Sequence, residues 1–289
     1  MAADSTRSAT PDEHKATAPK ALGCWVLTIS DTKTPESDTS GALIRERLAA
    51  AGHRVVALDL PGFGESQAPG RVSYFGPEDA FYPRFVLSAM EVLGIPRAHI
   101  VGQSMGGAVA YMIAVTAPER TRSLVLVAAG GLGQEVAFYL RACTLPGMSL
   151  LARLPRPKNA ARDALRSCFY DAGRIPEEFY QEAVRYGNAS FSEFIRAISA
   201  GVNIRGVRRP LREAWVARAS RYVGPALAVW GREDYVLPVK HVQDVQRILP
   251  QAKAHVIERC GHLVMFERPD EFLAATLPFL DRAEQAEAA

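Results

Sequence analysis

Short apolar runs of strand length alternate along this chain with stretches of helical spacing. That alternation restricts the chain to a mostly parallel sheet with helices on both faces, an α/β architecture. Residues 24–30 (CWVLTIS) are rich in β-branched and aromatic side chains and stop at Asp31, so they read as a strand. Helix signals start around residues 38–40, continue through Leu43, Ile44 and Leu48, and end at Gly52. Residues 54–59 predict a second strand, closed by the turn Pro61-Gly62-Phe63-Gly64. A helix is expected over about 77–93, a third strand at 99–101, a small-residue helix at 105–115 and a fourth strand at 123–129. Strands at 226–231 and 254–258 and a last helix from about 267 to 280 complete the series.

Between residues 132 and 222 the rhythm changes. Amphipathic helical stretches are separated by prolines, with no segment that reads as a strand. A helical block between two strands of a parallel sheet reads as a lid over the strands' C-terminal ends. The expected organisation is a disordered tail at 1–20, a core at 21–131 and 223–282, the lid at 132–222, and a short tail at 283–289. The sheet should hold about six strands.

Composition narrows the class. No apolar run approaches the roughly 20 residues of a membrane helix. The polar N-terminus, with Asp4, Asp12 and Glu13, lacks the apolar centre of a secretory signal. Cys24, Cys143, Cys168 and Cys260 are scattered without a paired spacing, so reduced thiols in a cytoplasmic protein are expected, with no metal site. Residues 133–222 hold 15 Lys plus Arg against 8 Asp plus Glu, in a chain whose totals are 34 and 31. The arginines lie among acids and apolar residues, which argues against nucleic acid and reads as a solvated helical surface. Attraction of an anionic small-molecule substrate is the alternative. The sequence sets no oligomeric state.

Chemistry concentrates at Gly102-Gln103-Ser104-Met105-Gly106-Gly107, between the strand at 99–101 and the helix that follows. Glycines around a serine in that context allow a sharp turn that lifts the hydroxyl clear of the sheet, with helix N–H groups behind it for a developing oxyanion. A serine needs a base, and the base an orienting acid. Asp234 follows the strand at 226–231, and His262 follows the strand at 254–258. Both therefore fall at the sheet edge that carries Ser104.

The stretches Asp59-Leu-Pro-Gly-Phe-Gly-Glu-Ser66, Val101-Gly-Gln-Ser-Met-Gly-Gly107, Trp230-Gly-Arg-Glu-Asp234, Cys260-Gly-His262 and Glu267-Arg-Pro269 resemble α/β-hydrolase signatures over about residues 53–282. The resemblance implies Ser104 as nucleophile, His262 as base, Asp234 as its orienting acid and the Met105 backbone N–H as an oxyanion donor. It implies a cofactor-free serine hydrolase of an ester or similar acyl bond. Carbon–carbon bond hydrolysis of an anionic dienoate is the alternative, and a non-catalytic ligand-binding protein is a third reading. A serine at the turn argues against the epoxide and dehalogenase branches, which use an aspartate there.

Other candidates read as structural: His99 as a surface or strand-end residue, and His53, His241 and His255 without a paired acid in a recognisable motif. Cys260 reads as a small buried residue, Trp230 as core, and the turn Pro61–Ser66 as structural with possible reach to substrate. Glu233 is the rival to Asp234 as orienting acid.

The pattern breaks at Ser30-Asp31-Thr32-Lys33, where the resembled family has a His-Gly pair whose neighbouring N–H completes the oxyanion hole. Residues 24–53 are similar instead to the first strand, loop and helix of the molybdopterin-binding (MoaB/Mog) domain, although no pterin-phosphate segment follows. Thr32 or Lys33 is then left to supply the second donor, beside a repulsive Asp31. Loss of one donor typically costs about 2.7–4 kcal/mol in the transition state, so weak activity is expected. Replacing Ser30-Asp31 by His-Gly should raise turnover; a folded variant with unchanged turnover would refute this assignment.

Overall fold

The computed structural model describes residues 39–288, apart from 65, 68, 152–153, 155–159, 176, 178 and 182–190. The strand expected at 24–30, the tail at 1–20, and Ser30, Asp31, Thr32 and Lys33 lie outside the described residues. The first elements are α1 (Thr39–Ala50), α2 (Phe81–Val92), β1 (Ala98–Gln103), α3 (Met105–Thr116) and β2 (Thr121–Val127). After the inserted segment come β5 (Ala226–Gly231), α9 (His241–Ile248), β6 (Lys253–Ile257), α10 (Val264–Glu267) and α11 (Pro269–Ala288). The four strands form one parallel sheet in the order β1-β2-β5-β6.

Alternation along each strand explains the layering. Ile100, Leu124, Leu126, Ala228 and Trp230 pack with α2 and α3 residues such as Val86 and Ile113 on one face. Their neighbours Val101, Val125, Val127, Leu227 and Val229 pack with Ile44, Leu48, Phe272 and Leu280 on the other. Successive strand side chains point to opposite faces, so near-continuous apolar runs require helices on both. This is the arrangement expected from the sequence.

Two expectations change. Among the described residues, 54–59 carry an isolated bridge at Ala57, with another just before at His53, in place of the expected strand, and the described sheet has four strands. The helix α11 continues to Ala288 through the expected tail; Leu280 and Ala283 are buried against the core, which rewards the extra turns. His99 takes the strand-end alternative, at the start of β1, and is wholly buried there.

The strands β2 and β5 pair directly, Leu124 with Ala226 through Val127 with Val229. None of the described residues between them joins that sheet. The described helices there are α4 (Phe138–Ala142), α5 (Met148–Leu151), α6 (Ala160–Arg166), α7 (Phe191–Gly201) and α8 (Arg209–Val216). A small antiparallel hairpin, β3 (Val202–Asn203) with β4 (Gly206–Val207), corrects the expectation of no strand. Asn203 closes it by accepting the Arg205 N–H at 2.8 Å, an Asx-type turn. Many of the segment's arginines are paired: Arg162 with Glu177, Arg209 with Glu213, Arg174 with Asp171. The buried Glu193 carboxylate on α7 receives the Tyr74 hydroxyl and Arg196 at 2.8 Å, fastening the segment to the loop before α2. Among the described residues no helix is long and apolar enough to cross a membrane.

At the sheet edge opposite the strands' C-termini, His99 Nδ1 lies 2.7 Å from Ser123 Oγ and its Nε2 lies 3.2 Å from Glu284. Burial, then the nearby Arg122, His53 and Arg97, hold the His99 pKa down to about 3. The imidazole is therefore neutral when folded. In the unfolded chain it takes a proton below its ordinary value near 6.5, so its contribution falls as pH drops from about 6.5 toward 3. The thermal midpoint of the native protein should decline over that window, and His99→Gln should flatten the decline. An identical pH profile in the variant would show that His99 is not responsible.

Candidate active site

The turn after β1 is the strained point of the backbone. Ser104 has φ 53° and ψ −120°, a region that non-glycine residues avoid and that persists only where the surroundings impose it. The Ser104 N–H donates to the Val127 carbonyl at 2.9 Å, and its own carbonyl accepts the Gly130 N–H at 2.8 Å. These bonds hold the turn against β2. A Cβ at Gly102 would lie 2.1 Å from the Gly106 carbonyl oxygen, so only glycine lets α3 start this close to the strand. Met105 is the first residue of α3, and its N–H stands at the helix N-terminus beside the serine.

The structure brings Ser104, His262 and Asp234 together. His262 Nε2 is 2.8 Å from Ser104 Oγ, and His262 Nδ1 is 2.9 Å from Asp234 Oδ2. Asp234 is held in turn: its Oδ1 accepts the N–H groups of Val236 at 2.8 Å and Leu237 at 2.9 Å. Both the acid and the base are nearly inaccessible to solvent. A buried carboxylate that fixes one imidazole nitrogen leaves the other aimed at the hydroxyl, which is the geometry for general-base activation of a serine.

Of the two candidate acids it is Asp234 that contacts His262; the Glu233 Oε2 accepts the Cys260 N–H at 3.0 Å. Trp230 is fully buried and donates to the Leu237 carbonyl at 2.9 Å, supporting the loop that presents Asp234. Cys260 is buried, and burial pushes its thiol pKa up, with Glu267 adding to the effect; it remains a neutral filler. His53 and His241 are buried and His255 is exposed. His241 stacks edge-on to Trp230 and meets Glu135 at 3.0 Å. Glu135, His241 and Asp244 could bring three ligand atoms within 4.8 Å of one another. Lys240 lies 2.6 Å from Glu135 and Arg247 2.8 Å from Asp244, so both carboxylates already have cationic partners.

Sequence reasoning missed three residues that hold the base. Gln103 Nε2 donates to the His262 carbonyl at 2.8 Å. The Cys168 carbonyl, from the inserted segment, accepts the His262 N–H at 2.7 Å. Glu267 receives three backbone N–H groups, from Gly261 at 2.7 Å, Asp171 at 2.7 Å and Tyr170 at 3.0 Å. Its one sequence signal was an acid repeated in the family-like run Glu267-Arg-Pro269; nothing local marks its partners.

Above Ser104 and His262 lies a cavity of about 330 Å³, within the size range of small-molecule sites. The sheet edge supplies its floor, and the inserted segment supplies Tyr139, Leu165, Phe179, Phe194 and Trp215. Phe63, from the turn after residue 59, also lines it, so that turn reaches the site as well as shaping the loop. Burial raises the Tyr139 hydroxyl pKa, with Cys168 next in effect, so it is a neutral group.

By its family and its relatives the protein is an enzyme of the hydrolase class. The chain belongs to the α/β-hydrolase fold family, whose family model matches residues 40–269. That match takes in α1, the second half of the stretch likened to a molybdopterin-binding domain. The chain is similar to the 2-hydroxy-6-oxo-6-phenylhexa-2,4-dienoate hydrolase of Comamonas testosteroni, 32% identical over 80% of this chain and 78% of that protein. It is 34% identical to the 2-hydroxy-6-oxononadienedioate/2-hydroxy-6-oxononatrienedioate hydrolase of the same organism, over the same shares. The solved 2-hydroxy-6-oxo-6-phenylhexa-2,4-dienoate hydrolase of Rhodococcus sp. strain RHA1 shares the fold, with a TM-score of 0.71 at 24% identity over 91% of this chain and 92% of that one.

Replacing Glu267 with Ala leaves three backbone donors without their acceptor. Each such loss costs about 1–3 kcal/mol when buried. Denaturant unfolding of Glu267→Ala should show a loss on the order of 3 kcal/mol, and Glu267→Gln a smaller one. Wild-type stability in Glu267→Ala would show that the clamp contributes little.

Proposed function

We propose that this protein hydrolyses a carbon–carbon bond in a 2-hydroxy-6-oxodienoate, with Ser104 as nucleophile, His262 as general base and acid, and Asp234 as the orienting carboxylate. The observation that carries this reading is the agreement among relatives: proteins 32% and 34% identical across four-fifths of the chain are named for such dienoates. The ester substrate that the sequence alone favoured gives way to the carbon–carbon alternative for that reason. The paired Ser104, His262 and Asp234 support the same reading, because cleaving an acyl–carbon bond calls for the same activated hydroxyl as cleaving an ester.

In this reading Ser104 Oγ attacks the C6 carbonyl while His262 Nε2 takes the hydroxyl proton. Negative charge on the carbonyl oxygen develops toward the Met105 N–H at the start of α3. The dienol has ketonised beforehand, its 2-hydroxyl proton moving to C5; the C5–C6 bond then breaks with its electron pair drawn through C4 and C3 onto the C2 oxygen, which takes the proton held by His262. Water activated by His262 then releases the acyl group from Ser104 as a carboxylic acid. Thr32 remains the expected second oxyanion donor, from outside the described residues. The largely apolar cavity lining lowers the polarity around the hydrogen-bonded chain and strengthens its electrostatics.

Incubation with 2-hydroxy-6-oxo-6-phenylhexa-2,4-dienoate should consume the dienoate and release benzoate. Ser104→Ala and Asp234→Asn should each lower kcat by about 10³-fold or more. Turnover that survives unchanged in Ser104→Ala would overturn the assignment.

A further inference from the structure

The two kinds of relative differ at one end of the substrate. One is named for a phenyl ketone at C6, the other for a chain that ends in a second carboxylate. The cavity walls distinguish those ends by chemistry. Phe63, Phe75, Phe179, Phe191, Phe194 and Phe266 all face the space. The Phe179 and Phe266 rings lie 5.0 Å apart, and Phe191 and Phe194 are stacked at 6.4 Å. An aromatic guest finds edge and face partners throughout such a wall.

The polar groups of the same wall are largely engaged with the protein itself. The Tyr111 hydroxyl donates to the Trp215 carbonyl at 3.1 Å, and the Trp215 indole donates to the Phe75 carbonyl at 2.8 Å. Among the described lining residues Arg212 alone is permanently charged. Its Nε donates to the Leu132 carbonyl at 2.6 Å, and a terminal nitrogen lies 4.0 Å from Asp244. Among the described residues this one guanidinium, already partly engaged, can balance one carboxylate and not two. A second carboxylate set against the phenylalanines would be desolvated with no described cation to meet it, which is heavily disfavoured.

We infer that the site takes dienoates whose C6 end is a compact apolar group, an aryl ring above all, in preference to dioates. The inference rests on the carbon–carbon hydrolase reading and names the substrate class within it. The balanced reaction adds one water: hydroxyl goes to C6, giving an aromatic carboxylic acid, and hydrogen goes to C5, giving 2-hydroxypenta-2,4-dienoate.

The test compares kcat/KM of the full-length protein for 2-hydroxy-6-oxo-6-phenylhexa-2,4-dienoate and 2-hydroxy-6-oxonona-2,4-dienedioate, following loss of dienoate absorbance. The phenyl substrate should be favoured at least about tenfold, mainly through KM. Equal values, or preference for the dioate, overturn the inference and leave the carbon–carbon reading standing. Calorimetry on Ser104→Ala with benzoate and succinate, the two acid products, reads the preference without turnover. Benzoate should bind at least about tenfold more tightly; succinate binding as well or better overturns the inference even if neither dienoate is cleaved. Absence of cleavage with benzoate still preferred sinks the reaction assignment instead.

Discussion

The direct parallel pairing of β2 with β5 is the constraint on which the rest depends. The long segment between them leaves at the C-terminal end of β2, lies over that edge, and crosses back to the opposite edge to enter β5. Parallel strands also bring all their C-terminal ends to the first of these edges. Ser104 follows β1, Asp234 follows β5 and His262 follows β6, so three residues far apart in sequence meet without any special arrangement of the chain. The cavity forms where the excluded segment lies back over them. Ligand sites beyond the carboxyl ends of strands are the general outcome of this architecture.

What the sequence shows most clearly is what depends on local pattern. The runs at 226–231 and 254–258 are apolar and bounded by turns, and the structure places strands there with boundaries shifted by at most one residue. The turn Gly102–Gly107 is legible because its glycines are demanded by steric crowding that no other residue tolerates. The placement of Asp234 and His262 follows from each being just past a strand end. The run at 54–59 shows the limit of this reasoning. Its residues suit a strand, but strandhood is decided by partners on other segments, and composition does not report them. The hairpin at 202–207 is invisible for the opposite reason, since strands of two residues have no periodicity.

Hardest to read are contacts whose chemistry is carried by the backbone. Cys168 acts on His262 through its carbonyl, which every residue has. Glu267 collects N–H groups from Gly261 on the histidine loop and from Tyr170 and Asp171 on the inserted segment. Those bonds make the histidine loop and that stretch of the insert mechanically one piece. The placement of the base and the shape of one cavity wall are consequently coupled, and a change to either is felt by the other. Glu193 performs a similar join on the far side of the insert, with Tyr74.

The buried group at the other end of the sheet shows what the site owes to its surroundings. There a serine hydroxyl, an imidazole and a carboxylate, Ser123, His99 and Glu284, stand in the same order and at similar spacing as Ser104, His262 and Asp234. The ring nitrogens are exchanged, with Nδ1 toward Ser123 and Nε2 toward Glu284, and Ser123 is fully buried on a regular strand. Of the two serines, Ser104 has the bent backbone that offers its hydroxyl to an open space, whereas Ser123 is sealed in the sheet.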